Sequence, residues 1–245
     1  MAAAEGTRAL VTGAGIRVGR EIALELARAG CDVVVHVNRS RGPGDAVADE
    51  IRALGRKAHV VAADQRDVDA IRVACADAER ALGPIDWLVN SAAIWPHVAL
   101  EQTEQADFDL ALETNLRGPF FWARTLGVGM RERGRGTIVN IADVSVDRPW
   151  VDSLPYGLAK AGVEAMTYGL AKALAPSVRV NAVAPGPVLF PPNYPEARVQ
   201  ADREATLRGR EGSAEDIARA VRFLCESENI TGVLLPVDGG YRFGI

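Results

Sequence analysis

The chain has 245 residues, of which 48% are hydrophobic and 24% are charged, and its formal net charge is −4 at pH 7. These values are typical of a globular domain that is large enough to bury an extended sheet. The negative charge argues against a nucleic-acid backbone as the main partner. No apolar run approaches the roughly 20 residues of a membrane-spanning helix, and no signal-peptide pattern opens the chain.

Cysteine and histidine residues indicate neither a disulfide framework nor a metal centre. Their spacing fits neither pattern; they are Cys31, Cys75, Cys225, His36, His59 and His97. Reduced cysteines in apolar surroundings are typical of cytosolic proteins. We therefore expect a cytoplasmic protein that binds no metal, no membrane and no nucleic acid.

Strand and helix patterns alternate along the whole chain. Apolar runs predict strands at 8–12, 32–37, 57–62, 86–90, 137–142, 179–183 and 233–237. Apolar periodicity predicts helices that end at Gly30, span 45–54 and 68–82, run from a Thr103 cap to 133, run through Tyr156 to 175, and run from a Ser213–Asp216 capping box to 225. Continuous apolar strands separated by helices predict a parallel sheet that is covered on both faces. The fold class is therefore α/β, with one doubly wound domain over 1–245.

The segment 189–210 follows the sixth predicted strand and contains three prolines, Pro191, Pro192 and Pro195. These prolines predict irregular structure. The segment is a candidate substrate lid, and the alternative is a rigid surface loop.

A glycine-bearing turn joins the first strand to the first helix. Gly13, Gly15 and Gly19 would let backbone N–H groups and the helix N-terminus approach a pyrophosphate. Arg17 stands inside this turn, where its guanidinium can meet a phosphate or a planar ligand. The alternative is a tight strand–helix turn that binds nothing.

The residues after the second and third strands suggest which dinucleotide binds. A carboxylate after the second strand is usual for NAD, but this chain has Arg39 and Ser40 there, which suit the 2′-phosphate of NADP. A basic solvated loop is the alternative. Asp64, two residues past the third strand, is placed either to accept from adenine N6 or to lie in a surface turn.

Tyr156 and Lys160 are four residues apart in a predicted helix, so their side chains share one face. A lysine cation beside a phenol favours the phenolate and lowers the pKa of the phenol from about 10. Tyr156 is then a candidate proton donor near neutral pH. Tyrosine and lysine with this spacing also occur on solvated helix faces.

Taken together, these motifs resemble the short-chain dehydrogenases/reductases. The matching residues are Thr12, Gly13, Arg17, Gly19, Asp64, Asn90, Ser91, Ala92, Asn115, Tyr156, Lys160, Pro185, Gly186, Asp238, Gly239 and Gly240. They occur in the order and spacing of that family over essentially the whole chain. The resemblance implies a Rossmann domain with a seven-stranded sheet in the order 3-2-1-4-5-6-7, hydride transfer from a nicotinamide, and a homotetramer.

The resemblance also implies which residues contact the cofactor. They are Gly13, Gly15, Ile16, Arg17, Val18, Gly19, His36, Asn38, Arg39, Ser40, Asp64, Asn90, Ala92, Tyr156, Lys160, Pro185, Gly186 and Val188. Asn115 resembles the asparagine that bends a helix and holds a water beside the lysine; without the resemblance it would be an ordinary polar helix residue. Asn90 has a structural alternative, in which it ties neighbouring strand ends together.

Two departures from the usual family pattern resemble the pteridine reductases and the related dihydromonapterin or dihydrofolate reductases. Arg17 stands where glycine is usual, and Asp143 stands thirteen residues before the tyrosine, where serine is usual. In that branch the arginine contacts both cofactor phosphate and pterin, and an aromatic residue sandwiches the pterin. The corresponding aromatic residue is Trp95, and a shift of one residue would make it Ile94.

The sequence therefore predicts an NADPH-dependent reductase of a C=N bond in a pterin or dihydrofolate-type substrate. Tyr156, Lys160, Asp143 and Asn115 are the predicted catalytic residues, and Arg17, Trp95, Asp143 and Tyr156 are the predicted substrate contacts. One alternative retains Ser145 as the hydroxyl donor and has Asp143 facing solvent. A second is a carbonyl-reducing member of the family with a 3-oxoacyl thioester, sugar or alcohol substrate. Another is an NADP-binding regulatory module without turnover. For Trp150 three locations are alternatives: the core, an interface and the pocket.

Overall fold

The computed structural model describes residues 4–39, 41–191 and 194–244. Within them, a seven-stranded parallel sheet has the order β3-β2-β1-β4-β5-β6-β7, which confirms the predicted fold class. The strands are β1 Arg8–Val11, β2 Asp32–Val37, β3 Ala58–Ala62, β4 Trp87–Asn90, β5 Gly136–Ile141, β6 Val178–Pro185 and β7 Leu234–Val237. The α-helices are α1 Arg17–Arg28, α2 Arg41–Ala53, α3 Val68–Leu82, α4 Gln105–Leu112, α5 Gly118–Glu132, α6 Leu154–Ala173, α7 Glu196–Glu204 and α8 Ala214–Glu226.

The valine run in β2 shows why the sheet is buried on both faces. Val33 and Val35 belong to one apolar cluster, which includes residues of α1 and α8. Val34, between them, belongs to a second cluster on the other face, which includes residues of α3 and α5. Successive side chains of a strand point to opposite faces, so an unbroken apolar run suits a strand covered on both sides.

Helix α2 begins at Arg41, four residues earlier than the predicted position 45. Pro43 lies in its first turn, where proline is tolerated because the N–H that it lacks would have no partner there. Gly44 lies so close to β2 that a Cβ would be 2.7 Å from Val37 Cγ1. The glycine therefore serves close helix–strand packing.

The helix expected from Thr103 to 133 is interrupted. Its N-cap is Glu104 and not Thr103, because Glu104 forms a capping box with Asp107. A π-helical turn at Glu113–Arg117 separates α4 from α5 and contains Asn115. Such turns bend a helix and are frequent at functional sites.

Two further predictions have different outcomes. The capping box at the start of α8 is confirmed, since Ser213 and Asp216 bond to each other's backbone N–H groups. The prediction that 189–210 is irregular is wrong in part, because α7 lies inside it.

The strand ends that border the site are tied together by side chains. The Thr12 hydroxyl accepts from the backbone N–H groups of Ser91 and Ala92 at 2.9 and 3.0 Å, which joins the ends of β1 and β4.

Among the described residues, no helix is both long and apolar enough to span a membrane. The same residues contain no cluster of three or more potential metal ligands from His, Cys, Asp and Glu.

Candidate active site

A cavity of about 920 Å³ opens at the carboxyl ends of the strands. Its wall includes Gly13 after β1, Asn38 after β2, Ala92 after β4, Asp143 after β5 and Gly186 after β6. In open parallel sheets, ligands bind in the crevice outside these strand ends. The cavity is therefore the candidate active site.

The glycine loop forms one end of the cavity and suits a pyrophosphate. Gly13 has φ 68°, and a Cβ there would lie 2.7 Å from the Ala92 Cα, so only glycine fits. The first turn of α1 has no side-chain cap and no acidic residue. Its N–H groups can therefore bind an anion at the positive end of the helix.

Arg17 joins this loop to the segment after β6. Its guanidinium donates to the Leu189 carbonyl, and both residues line the cavity. Arg17 and Leu189 have φ angles of 53° and 50°, values that non-glycine residues rarely adopt. Strained backbone of this kind persists where the surrounding structure enforces it, often at functional sites.

His36 was predicted to contact the cofactor, but its ring nitrogens already bind backbone groups. Nδ1 accepts from the Gly13 N–H at 3.2 Å, and Nε2 lies 3.0 Å from the Ala63 carbonyl oxygen. Burial lowers the pKa of this imidazole to about 4. A neutral ring that accepts at Nδ1 and donates at Nε2 satisfies both contacts. The arrangement favours a supporting role for His36, which holds the glycine loop.

The predicted 2′-phosphate and adenine residues lie close together. Arg39 has an 82% exposed side chain, with a nitrogen 4.0 Å from Asp64. Asp64 binds Arg66 through both carboxylate oxygens, at 3.0 and 2.6 Å, and this partner lowers the pKa of Asp64 to about 2. Asp64 is thus already occupied, whereas Arg39 is available to a phosphate. Ser40, also predicted here, lies outside the described residues.

Three buried side chains form the predicted catalytic group at the inner end of the cavity. The Tyr156 hydroxyl donates to Asp143 Oδ2 at 2.7 Å, and the Ser145 backbone N–H donates to Asp143 Oδ1 at 2.7 Å. Lys160 Nζ donates to the Ile141 carbonyl at 2.7 Å and lies 5.5 Å from the centroid of the Tyr156 ring. The ammonium is therefore close enough to act electrostatically on both acidic groups.

The electrostatics of this group differ from the expectation that Lys160 lowers the pKa of the phenol. Burial and the carboxylate of Asp143 raise the pKa of Tyr156 well above its ordinary value. Burial also raises the pKa of Asp143, and Lys160 opposes that shift. Burial lowers the pKa of Lys160 to about 8. The phenol is thus a neutral proton donor. Asp143 and Lys160 lie beside it and interact as opposite charges.

Two asparagines and one serine lie next to the catalytic group and have different contacts. Asn115 exchanges two hydrogen bonds with the Ile94 backbone, at 2.9 and 3.0 Å, and so fixes the loop that carries Trp95. Asn90 donates to Asn140 Oδ1 at 2.9 Å and to Pro119, as in its structural alternative. The Ser145 side chain is buried beside Asp143, and the Ser145 backbone N–H donates to that carboxylate at 2.7 Å.

Aromatic residues wall the part of the cavity next to Tyr156. Trp150 stacks on the Tyr156 ring, with centroids 6.1 Å apart and planes at 11°. Trp95 lies 5.0 Å from Trp150 and 6.0 Å from Tyr194. Tyr194 in turn stacks on Phe190 at 5.2 Å. Neither Phe190 nor Tyr194 was predicted, although their clustering with proline inside 189–210 was a usable signal for an aromatic lid.

Several contacts attach the lid segment 189–210 and its flanks to the rest of the site. Arg198 of α7 binds Asp152 at 2.8 Å, near the start of α6. Val188 forms an isolated parallel bridge with Gly212. Together with the contact between Arg17 and Leu189, these bonds hold the segment over the cavity.

Comparison with known proteins agrees with this geometry. Residues 13–242 match the family model described as enoyl-(acyl carrier protein) reductase. Gluconate 5-dehydrogenase of Gluconobacter oxydans is 36% identical over 245 residues, which cover 96% of this chain and 94% of that protein. A putative short-chain alcohol dehydrogenase from Sinorhizobium meliloti has a TM-score of 0.94 at 35% identity, with 98% of each chain covered.

A third similar protein is FolM alternative dihydrofolate reductase 1 from Brucella suis, solved in complex with NADP. Its TM-score is 0.91 at 32% identity, and the alignment covers 98% of this chain and 96% of that chain. One conclusion follows from the glycine loop, from the buried pair of Tyr156 and Lys160, and from these similarities. The chain belongs to the short-chain dehydrogenase/reductase family and is an NAD(P)-dependent oxidoreductase.

Proposed function

We propose that the chain uses NADPH to reduce a C=N bond of a pterin or dihydrofolate-type ring. The observation that carries this proposal is the 2.7 Å hydrogen bond from the Tyr156 hydroxyl to the buried carboxyl of Asp143. A serine at that position would donate to a carbonyl oxygen, whereas an ionised carboxylate only accepts. A carboxylate therefore suits a substrate with N–H donors, such as a 2-aminopterin.

The aromatic wall supports a flat substrate. Trp95 and Trp150 present indole faces beside Tyr156, and Tyr194 extends this surface. Flat aromatic rings gain from offset stacking beyond the area that they bury. A bicyclic pterin ring uses such a surface fully, whereas a flexible acyl chain or a sugar uses it less well.

The proton needed for reduction comes from Tyr156. When bound, the nicotinamide supplies a hydride to the ring carbon of the C=N bond, and the phenol proton goes to the ring nitrogen. A proton from water restores the phenol before the next turnover, and Asp143 stays the acceptor that orients the hydroxyl. Lys160 supplies the positive charge that stabilises the phenolate while it exists. The product then has C–H and N–H bonds in place of C=N.

The preference for NADPH rests on the charged residues that line the cavity after β2 and in the glycine loop. Arg39 is exposed and paired to Asp64 only at 4.0 Å, so its guanidinium can turn to a 2′-phosphate. Arg17 brings a second guanidinium to the glycine loop. The similar Brucella suis reductase was solved with NADP, which supports the same preference.

A second candidate is reduction of a carbonyl, as in a sugar acid, and it is favoured by the 36% identity to a gluconate 5-dehydrogenase. Asp143 argues against this candidate for the reason given above. A regulatory module without turnover is a third candidate. The buried group formed by Asp143, Tyr156 and Lys160 argues against it, since nucleotide binding alone does not need a proton donor inside the cavity.

A substrate panel tests the proposal. Purified protein is assayed with NADPH and with NADH on dihydrobiopterin, dihydromonapterin, dihydrofolate, an acetoacetyl thioester and 5-ketogluconate. We expect turnover of at least one pterin and a higher kcat/KM with NADPH than with NADH. Turnover of a thioester or sugar acid without any pterin would overturn the substrate proposal. An equal or better kcat/KM with NADH would separately overturn the cofactor proposal.

The family resemblance also supports a homotetramer. Analytical ultracentrifugation tests this assignment, and a monomeric species at micromolar concentration would contradict it.

A further inference from the structure

A carboxylate on the lid helix faces the cavity beyond the catalytic group. Asp202 of α7 lines the cavity together with Tyr194 and Tyr241. The Tyr241 hydroxyl donates to Asp202 Oδ1 at 2.9 Å, and the Tyr194 hydroxyl donates to Asp202 Oδ2 at 3.1 Å. Each carboxylate oxygen has more than one acceptor site. Asp202 can therefore accept further hydrogen bonds from a ligand while both tyrosines hold it in place.

The charge of Asp202 is not neutralised by an ion pair among the described residues. The nearby Arg198 binds Asp152 at 2.8 Å, and Arg203 binds Glu211 at 2.6 Å. A third arginine on this side of the cavity is Arg148, whose guanidinium lies 4.5 Å from the centroid of the Tyr241 ring.

Arg148 is occupied by the end of the chain. Its guanidinium donates to the carbonyl oxygens of Tyr241 and Gly244 at 2.9 and 3.2 Å. It forms no ion pair with Asp202 in the part of the chain that the structure describes. Asp202 thus gives this side of the cavity a negative charge, with hydrogen-bond donors only from two neutral phenols.

Asp202 lies beyond the aromatic wall as seen from Tyr156. The Trp95 ring lies 6.3 Å from the Tyr156 ring and 6.0 Å from the Tyr194 ring, and the Tyr194 hydroxyl donates to Asp202. One aromatic residue thus separates the proton donor from the phenol that holds Asp202. A bicyclic ring that reacts at Tyr156 and stacks on the aromatic wall would direct a side chain toward Asp202.

We propose that Asp202 determines side-chain selectivity: it accepts hydrogen bonds from hydroxyl groups on the substrate's side chain and repels carboxylates there. This inference rests on the proposed pterin reduction and narrows its substrate class. The preferred substrate is a pterin with a short, neutral, hydroxylated side chain. A folate is disfavoured for two reasons. An aminobenzoyl group stands where hydroxyl groups would bond Asp202, and the two glutamate carboxylates beyond it are repelled across the partly desolvated cavity.

The test compares two substrates on three forms of the full chain. Dihydrobiopterin has a neutral dihydroxypropyl side chain, and dihydrofolate has an anionic one. The variant Asp202→Asn removes the charge and retains the shape. The matched control is Glu204→Gln, because Glu204 is an exposed carboxylate on the same helix and accepts a hydrogen bond from the neutral Gln200. Circular dichroism and the melting temperature establish that each variant folds.

For wild type we expect a higher kcat/KM with dihydrobiopterin than with dihydrofolate. Asp202→Asn should raise kcat/KM for dihydrofolate about fivefold, as expected for removal of a like charge about 8 Å away at an intermediate dielectric constant. The same variant should lower that for dihydrobiopterin by about threefold, through loss of a charged acceptor. Glu204→Gln should change kcat/KM for neither substrate. An unchanged substrate ratio in Asp202→Asn would overturn the inference while pterin reduction stands.

A measurement on wild type alone covers the case in which Asp202→Asn does not fold. Raising the ionic strength from about 0.01 to 0.5 M shortens the range of electrostatic repulsion. We expect kcat/KM for dihydrofolate to rise relative to that for dihydrobiopterin over this range. A constant or falling ratio would contradict the inference. If neither pterin is turned over under any condition, the proposed function itself fails, and that result differs from every outcome above.

Discussion

The Tyr156 hydroxyl donates to Asp143 Oδ2 at 2.7 Å, inside a site where Tyr156 is only 7% exposed and Asp143 only 8%. A phenol bound to a carboxyl is held as a donor with defined direction. It is also a poor acid in this state, because the same contact and burial raise the pKa of Tyr156. Proton transfer therefore depends on the substrate nitrogen and on Lys160, and the three side chains act as one unit.

This coupling predicts non-additive effects of mutation. Tyr156→Phe should lower kcat by about 10³-fold, within the range for loss of a general acid. Asp143→Asn should lower it by about 10²-fold. The double variant should be little worse than Tyr156→Phe alone, because residues that act as a unit are not additive. Steady-state kinetics on a pterin test this cycle, and multiplication of the two single effects would show that the residues act independently.

The pH dependence of turnover should follow Lys160. Burial lowers the pKa of this lysine from 10.5 to about 8, and Asp143 opposes that shift. Lys160 loses its charge above about pH 8, so kcat/KM should fall there. In Asp143→Asn the opposing carboxylate is gone, and the alkaline limb should move to lower pH. A limb that moves to higher pH, or does not move, would contradict the assignment.

The same lysine should affect stability in the opposite direction. Between pH 8 and 10.5 the unfolded chain retains the proton on Lys160 and the folded chain does not. The unfolded state then binds more protons, so the contribution of Lys160 to the free energy of unfolding rises with pH over this window. Comparing urea denaturation of wild type and Lys160→Met at several pH values isolates this contribution.

Arg39 should determine the choice between the two nicotinamide cofactors. Arg39→Ala should raise KM for NADPH by about tenfold, the effect of one lost charge-assisted hydrogen bond. KM for NADH should hardly change, because NADH lacks the 2′-phosphate. Arg72→Ala is the control, since Arg72 is an exposed arginine that binds Asp69. Equal effects of Arg39→Ala on both cofactors would place the 2′-phosphate elsewhere.

Arg17 combines a strained backbone with a guanidinium, and two variants separate these features. At φ 53° glycine relieves strain that alanine retains. Arg17→Gly should therefore melt at a higher temperature than Arg17→Ala. Both variants lose the guanidinium, so both should raise KM for the pterin by a similar factor. Differential scanning calorimetry and kinetics measure the two effects, and normal substrate binding in either variant would exclude Arg17 as a substrate contact.

Much of the fold follows from local patterns. The all-apolar run at Val33, Val34 and Val35 predicts a strand covered on both faces, and the structure confirms it. Such a feature depends on neighbours in sequence and on the fixed geometry of the parallel sheet. The contact between Asp143 and the phenol was expected from the family resemblance instead, and the structure has it.

Other features depended on contacts that the sequence does not display. The ring of His36 meets Gly13 and Ala63, and Asp64 is taken by Arg66, so neither is free in the way that its position after a strand suggested. Helix α7 lies within a proline-rich segment and brings Asp202 to the cavity. The sequence of α7 is mostly charged and polar, and Val199 is its one buried residue. It therefore lacks the apolar stripe from which a helix is predicted.

The most direct test of the central claim exchanges the carboxyl of Asp143 for the hydroxyl that is usual in the family. Wild type and Asp143→Ser are assayed with NADPH on a dihydropterin and on a carbonyl substrate such as an acetoacetyl thioester. We predict that wild type prefers the pterin and that Asp143→Ser lowers the ratio of kcat/KM, pterin over carbonyl, by about 10²-fold. A ratio that the substitution leaves unchanged, or a wild type that prefers the carbonyl, would contradict the claim that Asp143 selects a pterin ring.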